Sequence, residues 1–152
     1  MISFGNAAVL DSTDFLEYLG TDPETKLICM YIEGVKDGSR FTSLVKEINY
    51  KKPVIIWKGG LTESGSRAVA SHTGSLGGER EVWNAFYKQT GAVNVGSMEE
   101  LLDVTMAFLY LRTPASRRIA LIGAGGGNSV AGADICARAG LDLPTLTEAT
   151  LK

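Results

Sequence analysis

The sequence predicts an α/β protein in which a parallel β-sheet is covered by helices. Short apolar runs alternate along the chain with stretches whose apolar side chains recur at helical spacing. Such alternation is typical of strands joined by right-handed helical crossovers, which makes the sheet parallel. The length of 152 residues fits one compact domain, or one domain and a fragment.

The individual elements follow from these two patterns. Helical spacing of apolar side chains predicts helices over 12–19, 41–48, 82–90, 101–109 and 129–139. Short continuous apolar runs predict strands over 26–32, 53–57, 92–95 and 118–122. We expect the first strand to be buried on both faces, because its apolar run is unbroken. A linker composition over 112–117 predicts a boundary between residues 1–113 and residues 114–152.

Composition excludes several classes of function. A net charge of -2 without a cluster of Lys and Arg argues against binding to nucleic acid or to an anionic membrane surface. Cys29 and Cys136 lack the spacing of a metal site or a disulfide framework, so they are predicted to be buried thiols in a reducing compartment. The N-terminus lacks a targeting pattern, and no apolar run approaches the length of a membrane span. We therefore expect a cytoplasmic protein without a metal site.

Glycine is the residue type whose count is unusual. Of the 18 glycines, six lie within 59–78 and five within 123–132. The segment 58–78 is also rich in Ser and Thr and shows no periodicity, which in a compact domain usually indicates a functional loop. These two stretches are therefore the predicted locations of the chemistry.

His72 is the only histidine and lies in the first glycine-rich stretch, beside Ser71, Thr73 and Gly74. A lone histidine is more often structural, but a loop of such neighbours can approach a ligand closely. The neutral imidazole nitrogen is nucleophilic near neutral pH, so it can accept a phosphoryl or acyl group. Glu33 follows the strand 26–32, where it could accept a hydrogen bond from the far nitrogen of that imidazole. The alternative for Glu33 is a solvated charge at a strand end.

The second glycine-rich stretch joins a predicted strand to a predicted helix. Its backbone N–H groups suit the binding of an anion at a helix N-terminus. It does not match the dinucleotide-binding fingerprint, because Asn128 stands where the third glycine is required. A nucleophile elbow at Ser129 is also weak, because Ala131 replaces the final glycine and the histidine lies upstream. The sequence contains no Walker A motif.

A series of short motifs runs through nearly the whole chain. They are Ser3-Phe-Gly-Asn6, Asp22-Pro-Glu-Thr-Lys26, Tyr31-Ile-Glu-Gly34 with Asp37-Gly38 and Phe41, Lys52-Pro-Val54, Lys58-Gly59, Ser71-His-Thr-Gly74 and Gly91-Ala-Val93. In this order they resemble the NDP-forming (ADP-forming) acyl-CoA synthetases of the succinyl-CoA synthetase superfamily, specifically the ligase domain that carries the phosphohistidine. The resemblance implies a flavodoxin-like fold. It also implies an acid-thiol ligase that interconverts acyl-CoA, NDP and phosphate with acid, CoA and NTP.

The same resemblance implies roles for individual residues. His72 would be phosphorylated during turnover, and Glu33 would hold the phosphohistidine loop. The remaining residues it implies are Ser71, Thr73 and Gly74 for loop support, and Gly125, Gly126, Gly127 and Asn128 for phosphate binding. CoA, ATP or ADP, and Mg²⁺ would serve the full enzyme, and we expect none of them to be bound by this chain alone.

The chain departs from the family pattern at both ends. We expect it to lack the CoA-binding domain, the first β-α unit of the ligase domain and the ATP-grasp domain, and therefore to need them as partners. Residues 114–152 would be the start of a second α/β ligase domain, or a β-α unit that completes the first. We therefore expect an oligomer that acts on a small carboxylic acid. The alternative is a non-catalytic α/β binding or scaffolding module derived from the same family.

Overall fold

The computed structural model describes residues 1–65, 67, 69, 80–123 and 125–150. The chain divides into two compact units, Met1–Leu111 and Arg112–Lys152.

The first unit is built of alternating helices and strands. In chain order, its elements are α1 (Ser12–Thr21), β1 (Ile28–Ile32), α2 (Gly38–Asn49), β2 (Val54–Lys58), α3 (Arg80–Thr90), β3 (Val93–Val95) and α4 (Met98–Tyr110). Within the described residues the strands form a three-stranded parallel sheet in the order β1-β2-β3. The α/β fold with a parallel sheet covered by helices is thus confirmed.

Side-chain caps fix the starts of α1 and α2. Asp11 accepts hydrogen bonds from the amides of Thr13 and Asp14 at 2.7 and 3.3 Å, and the Asp14 carboxylate accepts one from the Asp11 amide at 3.0 Å. Asp37 caps α2 by accepting from the Arg40 amide at 2.9 Å. These carboxylates satisfy amides that have no partner within their helices, so each helix begins where its cap stands.

One face of the sheet carries the larger core. Helices α1, α2 and α3 contribute to it with Leu16, Phe41 and Trp83, and the strands contribute Ile28 and Ile56 among others. The Phe41 ring lies 5.5 Å from the Phe86 ring and 6.4 Å from the Trp83 ring, measured between centroids. This aromatic cluster holds α2 and α3 together over the sheet.

The opposite face is covered by α4, which packs on β2 through a smaller cluster of Ile55, Val95 and Leu101. On this face β1 carries Cys29 and Tyr31, and both are exposed. The prediction that the first strand is buried on both faces, with a buried Cys29 thiol, is therefore wrong. β1 is an edge strand of the described sheet, and α4 leaves Cys29 and Tyr31 exposed although the Thr105 hydroxyl on α4 lies 2.9 Å from Cys29 Sγ.

The second unit contains α5 (Gly126–Arg138). Cys136 lies on this helix and is half-buried, so its thiol is less enclosed than the sequence predicts. Among the described residues of both units, no helix is both long and apolar enough to cross a membrane.

The strand predicted over 118–122 is absent from the described part of the second unit. A single bridge joins Arg118 to Asp142 in its place. The hydrogen bonds of this bridge run from the Ile119 amide to the Asp142 carbonyl and from the Asp142 amide to the Arg117 carbonyl, both at 2.9 Å. A parallel strand needs a hydrogen-bonded neighbouring strand along its length. Residues 119–122 have no such neighbour among the described residues, and the Ile122 side chain is fully exposed. The prediction of a strand here is therefore wrong.

Candidate functional site

The carboxyl ends of β1 and β2 bring two charged residues to one edge of the sheet. Ile32 is the register partner of Lys58, and the Gly59 amide donates to the Ile32 carbonyl at 2.9 Å. Glu33 follows Ile32 directly, and Lys58 is the last residue of β2. This is the edge at which ligands bind in open parallel sheets.

A tyrosine holds the Glu33 carboxylate. The Tyr31 hydroxyl donates to Glu33 Oε1 at 3.1 Å, which is possible because residues two apart on a strand share a face. The Tyr31 ring lies edge-on to Trp57, with 4.8 Å between the ring centroids. Partial burial and the bond to Glu33 raise the pKa of Tyr31, so its hydroxyl stays a donor at neutral pH. The carboxylate is therefore oriented before any ligand arrives.

Gly59 makes room for that tyrosine. A Cβ atom at position 59 would lie 2.6 Å from the Tyr31 hydroxyl oxygen and 3.0 Å from two ring carbons. The next residue, Gly60, has a φ of +78°, and a Cβ there would lie 2.8 Å from a methyl group of Val69. The two glycines thus allow both the close approach of Tyr31 and the sharp turn that ends β2.

Lys58 is buried beneath this edge. Its side chain rises from the face that α2 and α3 cover, and its residue is 4% exposed. Nζ donates to the Gly59 carbonyl and lies 5.4 Å from the centroid of the Trp83 ring. Burial lowers the pKa of the Lys58 ammonium, and the negative charge of Glu33 opposes this shift.

The segment that leaves this edge carries the predicted nucleophile. His72, Ser71, Thr73 and Gly74 lie outside the described residues, so their roles stay predictions. The nearest described positions, 63–65, 67 and 69, are helical. The expectation of a loop over 58–78 is therefore wrong at these positions. Residues 66, 68 and 70–79 lie outside the described residues.

The glycine turn of the second unit forms an open helix start. Gly125 caps α5 with a φ of +97° and makes no side-chain cap bond. Gly126, Gly127 and Asn128 are the first residues of α5, and all three are exposed. A Cβ atom at Gly125, Gly126 or Gly127 would meet no atom within 4 Å. The amides at this start have the form of an anion site, and the phosphate role assigned to these four residues stays a prediction.

Two residues of the site were not singled out from the sequence. Tyr31 and Lys58 stand within motifs that support the family resemblance, but the motifs gave them no role of their own. For Tyr31, the signal is its spacing of two residues from Glu33 on a strand. For Lys58, the signal is its position directly after the apolar run 53–57, where a charged side chain is unusual.

Comparison with known proteins identifies the family. The family described as succinyl-CoA ligase like flavodoxin domain matches residues 1–108. The chain belongs to this family. The resemblance and the flavodoxin-like fold predicted from the motifs are thereby confirmed.

Two curated proteins similar to this chain are acetate–CoA ligases. The alpha subunit of acetate–CoA ligase [ADP-forming] II from Pyrococcus furiosus is 44% identical over 99% of this chain and 33% of its own length. Acetate–CoA ligase [ADP-forming] I from Archaeoglobus fulgidus is 40% identical over 100% of this chain and 22% of its own length. The chain therefore spans a third or less of these relatives.

A solved structure has the same fold. The dinucleotide forming acetyl-coenzyme A synthetase 1 of Ca. Korarchaeum cryptofilum, in complex with phosphate and ADP, superposes with a TM-score of 0.86 at 36% identity. The match covers 97% of this chain and 32% of that chain.

Proposed function

We propose that this chain is the histidine-bearing ligase domain of an ADP-forming acyl-CoA synthetase. The observation that carries the proposal is the Glu33 carboxylate, which Tyr31 holds at the carboxyl edge of the sheet from which the His72 segment departs. The relatives named as ADP-forming acetate–CoA ligases support the reaction class. Residues 1–113 would form this domain, and residues 114–152 would begin a second ligase domain or complete the first.

In this function the imidazole of His72 accepts and returns a phosphoryl group. Phosphate attacks the acyl carbon of acyl-CoA, which releases CoA and leaves an acyl phosphate. A nitrogen of His72 then attacks phosphorus, so that the N–P bond forms as the bond to the carboxylate oxygen breaks. Transfer to ADP frees the histidine and gives ATP, and every step is reversible.

Glu33 would act on the imidazole rather than on the phosphoryl group. Its carboxylate accepts a hydrogen bond from one ring nitrogen, which keeps the lone pair of the other free to attack. The same negative charge stabilises the cationic ring that forms on phosphorylation. The open amides of Gly126, Gly127 and Asn128 would bind phosphate oxygens at the start of α5.

Other parts of the reaction belong to partners. We assign Mg²⁺ and the nucleotide to an ATP-grasp partner, as the resemblance to the acyl-CoA synthetases implies. CoA is assigned to a CoA-binding partner, and the acid is a small carboxylic acid. The complex would be a cytoplasmic oligomer, in line with the two free thiols.

Phosphate labelling tests this function. The chain is combined with its CoA-binding and ATP-grasp partners and incubated with ATP labelled at the γ-phosphate and Mg²⁺. We expect an acid-labile, base-stable label on the chain, and none on His72→Asn, whose unfolding midpoint should match that of the parent. Absence of label on the parent chain would favour the non-catalytic module instead.

A further inference from the structure

β1 leaves backbone hydrogen-bonding groups unpaired along its outer edge. The Ile32 carbonyl accepts from the Gly59 amide at 2.9 Å, so Ile32 directs its backbone groups toward the β2 side. Successive residues of a strand direct these groups to opposite sides, and those of Cys29 and Tyr31 therefore point away from β2. Among the described residues, no hydrogen bond reaches them from the outer side. Such an edge is a template for pairing with a strand of another chain.

One side of α4 is apolar and faces this open edge. Thr105 marks that side, because its hydroxyl oxygen lies 2.9 Å from Cys29 Sγ on β1. Leu102 and Leu109 stand three residues before Thr105 and four residues after it, so they share its side of the helix. We call this side of α4 and the exposed side chains of β1 the edge face. Its residues are Cys29, Tyr31, Met98, Leu102, Met106 and Leu109.

The edge face is large for an apolar surface that is left to solvent. Its five largest side chains, those other than Cys29, are between 48% and 57% exposed. A free side chain of this size presents on the order of 200 Å², so the five together expose roughly 500 Å². Apolar patches of this extent mark sites of interaction with another molecule.

Charged side chains border the edge face and do not enter it. Glu99 and Asp103 lie beyond its α4 residues, on the side away from Thr105, and both are exposed. Glu33 lies past the carboxyl end of β1, where the Tyr31 hydroxyl holds it. An apolar centre with a polar rim is the composition of a protein interface. An identical face can therefore meet this one without like charges at its centre.

We propose that two copies of this chain pair through the edge face as a symmetric dimer, with β1 antiparallel to β1 of the second copy. A two-fold axis at Met30 sets Cys29 opposite Tyr31 of the partner subunit, and their outward amides and carbonyls then bond reciprocally. The two sheets become one continuous sheet. The Glu33 residues lie at opposite ends of the paired strands, roughly 20 Å apart, so their charges do not oppose the pairing.

The same arrangement covers the apolar side of α4. The two β1 strands lie between the α4 helices, so the Tyr31 rings and the α4 side chains of both copies fill the space above these strands. Two edge faces bury roughly 1,000 Å², which reaches the lower limit for a specific interface. The hydrogen bonds along β1 add to this burial. An interface of this size is expected to have a Kd on the order of micromolar.

The mass of the full chain in solution tests the proposal. Size-exclusion chromatography with light scattering is run at roughly 100 μM chain, well above that Kd. We expect twice the chain mass of 16.2 kDa for the parent and for the control Val82→Lys, which changes an exposed valine on α3. Met106→Lys should raise the Kd at least about tenfold, because two ammonium groups would be buried in the dimer. A monomeric parent, or equal dimerisation of Met106→Lys and Val82→Lys, would overturn the proposal.

Disulfide cross-linking tests the position of the two-fold axis. Met30→Cys is made in a Cys29→Ser, Cys136→Ser background, so that one thiol remains in each copy. At the axis the two Cα atoms would be about 4.5 Å apart, a distance that a disulfide spans. Oxidised glutathione accepts the two electrons as the S–S bond forms, and we expect a covalent dimer. Cross-linking no faster than that of Val82→Cys in the same background would contradict antiparallel pairing of β1.

Discussion

Gly59→Ala should disturb the Glu33 site through Tyr31. The added methyl would lie 2.6 Å from the Tyr31 hydroxyl oxygen and 3.0 Å from two ring carbons. Tyr31 is about half exposed, so the ring is expected to swing outward and lose its contacts with Glu33 and Trp57. A lost hydrogen bond costs about 0.5–1.5 kcal/mol and a lost aromatic pair a similar amount, so we expect a loss of about 1–3 kcal/mol in the free energy of unfolding.

Urea unfolding followed by circular dichroism measures this loss, with Gly38→Ala as the matched control. A Cβ at Gly38 would meet no atom within 4 Å, so the control should be neutral or slightly stabilised. In a Tyr31→Ala background, Gly59→Ala should cost no more than Gly38→Ala does. Equal stability of Gly59→Ala and Gly38→Ala in the parent chain would refute the proposed contact.

Three further predictions concern the core, the pH dependence and the carboxylate. Phe41 lies on α2 and is 1% exposed where α2 meets α3, so Phe41→Ala should lower the free energy of unfolding in urea by about 3–5 kcal/mol. A loss below about 1 kcal/mol would contradict the central place of Phe41 in the core. Burial raises the pKa of Tyr87 to about 12, so its stabilising contribution is complete below about pH 10 and is lost as the pH rises toward 12. Unfolding midpoints between pH 8 and pH 11.5 should therefore fall more steeply for the parent than for Tyr87→Phe, and parallel profiles would argue against that burial. Glu33→Gln should slow phosphorylation of His72 at least several-fold with little change in unfolding midpoint, whereas Glu47→Gln, at an exposed position of α2, should leave the rate unchanged.

The order of the elements could be predicted because each depends on local patterns. The apolar runs at 26–32 and 53–57 became β1 and β2, and Asp11 starts α1 by a side-chain cap. Burial of β1 could not be predicted in the same way, since it depends on where α4 packs. An apolar run shows that a strand is possible, but the cover on each face is set by elements distant in sequence.

The strand predicted over 118–122 failed for a related reason. Its apolar residues suit a strand, but a ladder needs a neighbouring strand, and the structure provides one bridge to Asp142. The positions of Tyr31 and Lys58 in the site could not be predicted either, because they depend on contacts between residues that are distant in sequence. The register that pairs Ile32 with Lys58, and the close approach of Tyr31 to Gly59, exist only in the folded sheet.

Transfer of phosphate through His72 can be tested from the acyl side of the reaction. The assembled protein is mixed with acetyl-CoA and radiolabelled phosphate in the absence of nucleotide, because relatives are acetate–CoA ligases. We expect label to appear on His72 only when acetyl-CoA is present, and to pass quantitatively into ATP when ADP and Mg²⁺ are added. A label that persists in His72→Asn, or that ADP does not remove, would contradict phosphoryl transfer through His72.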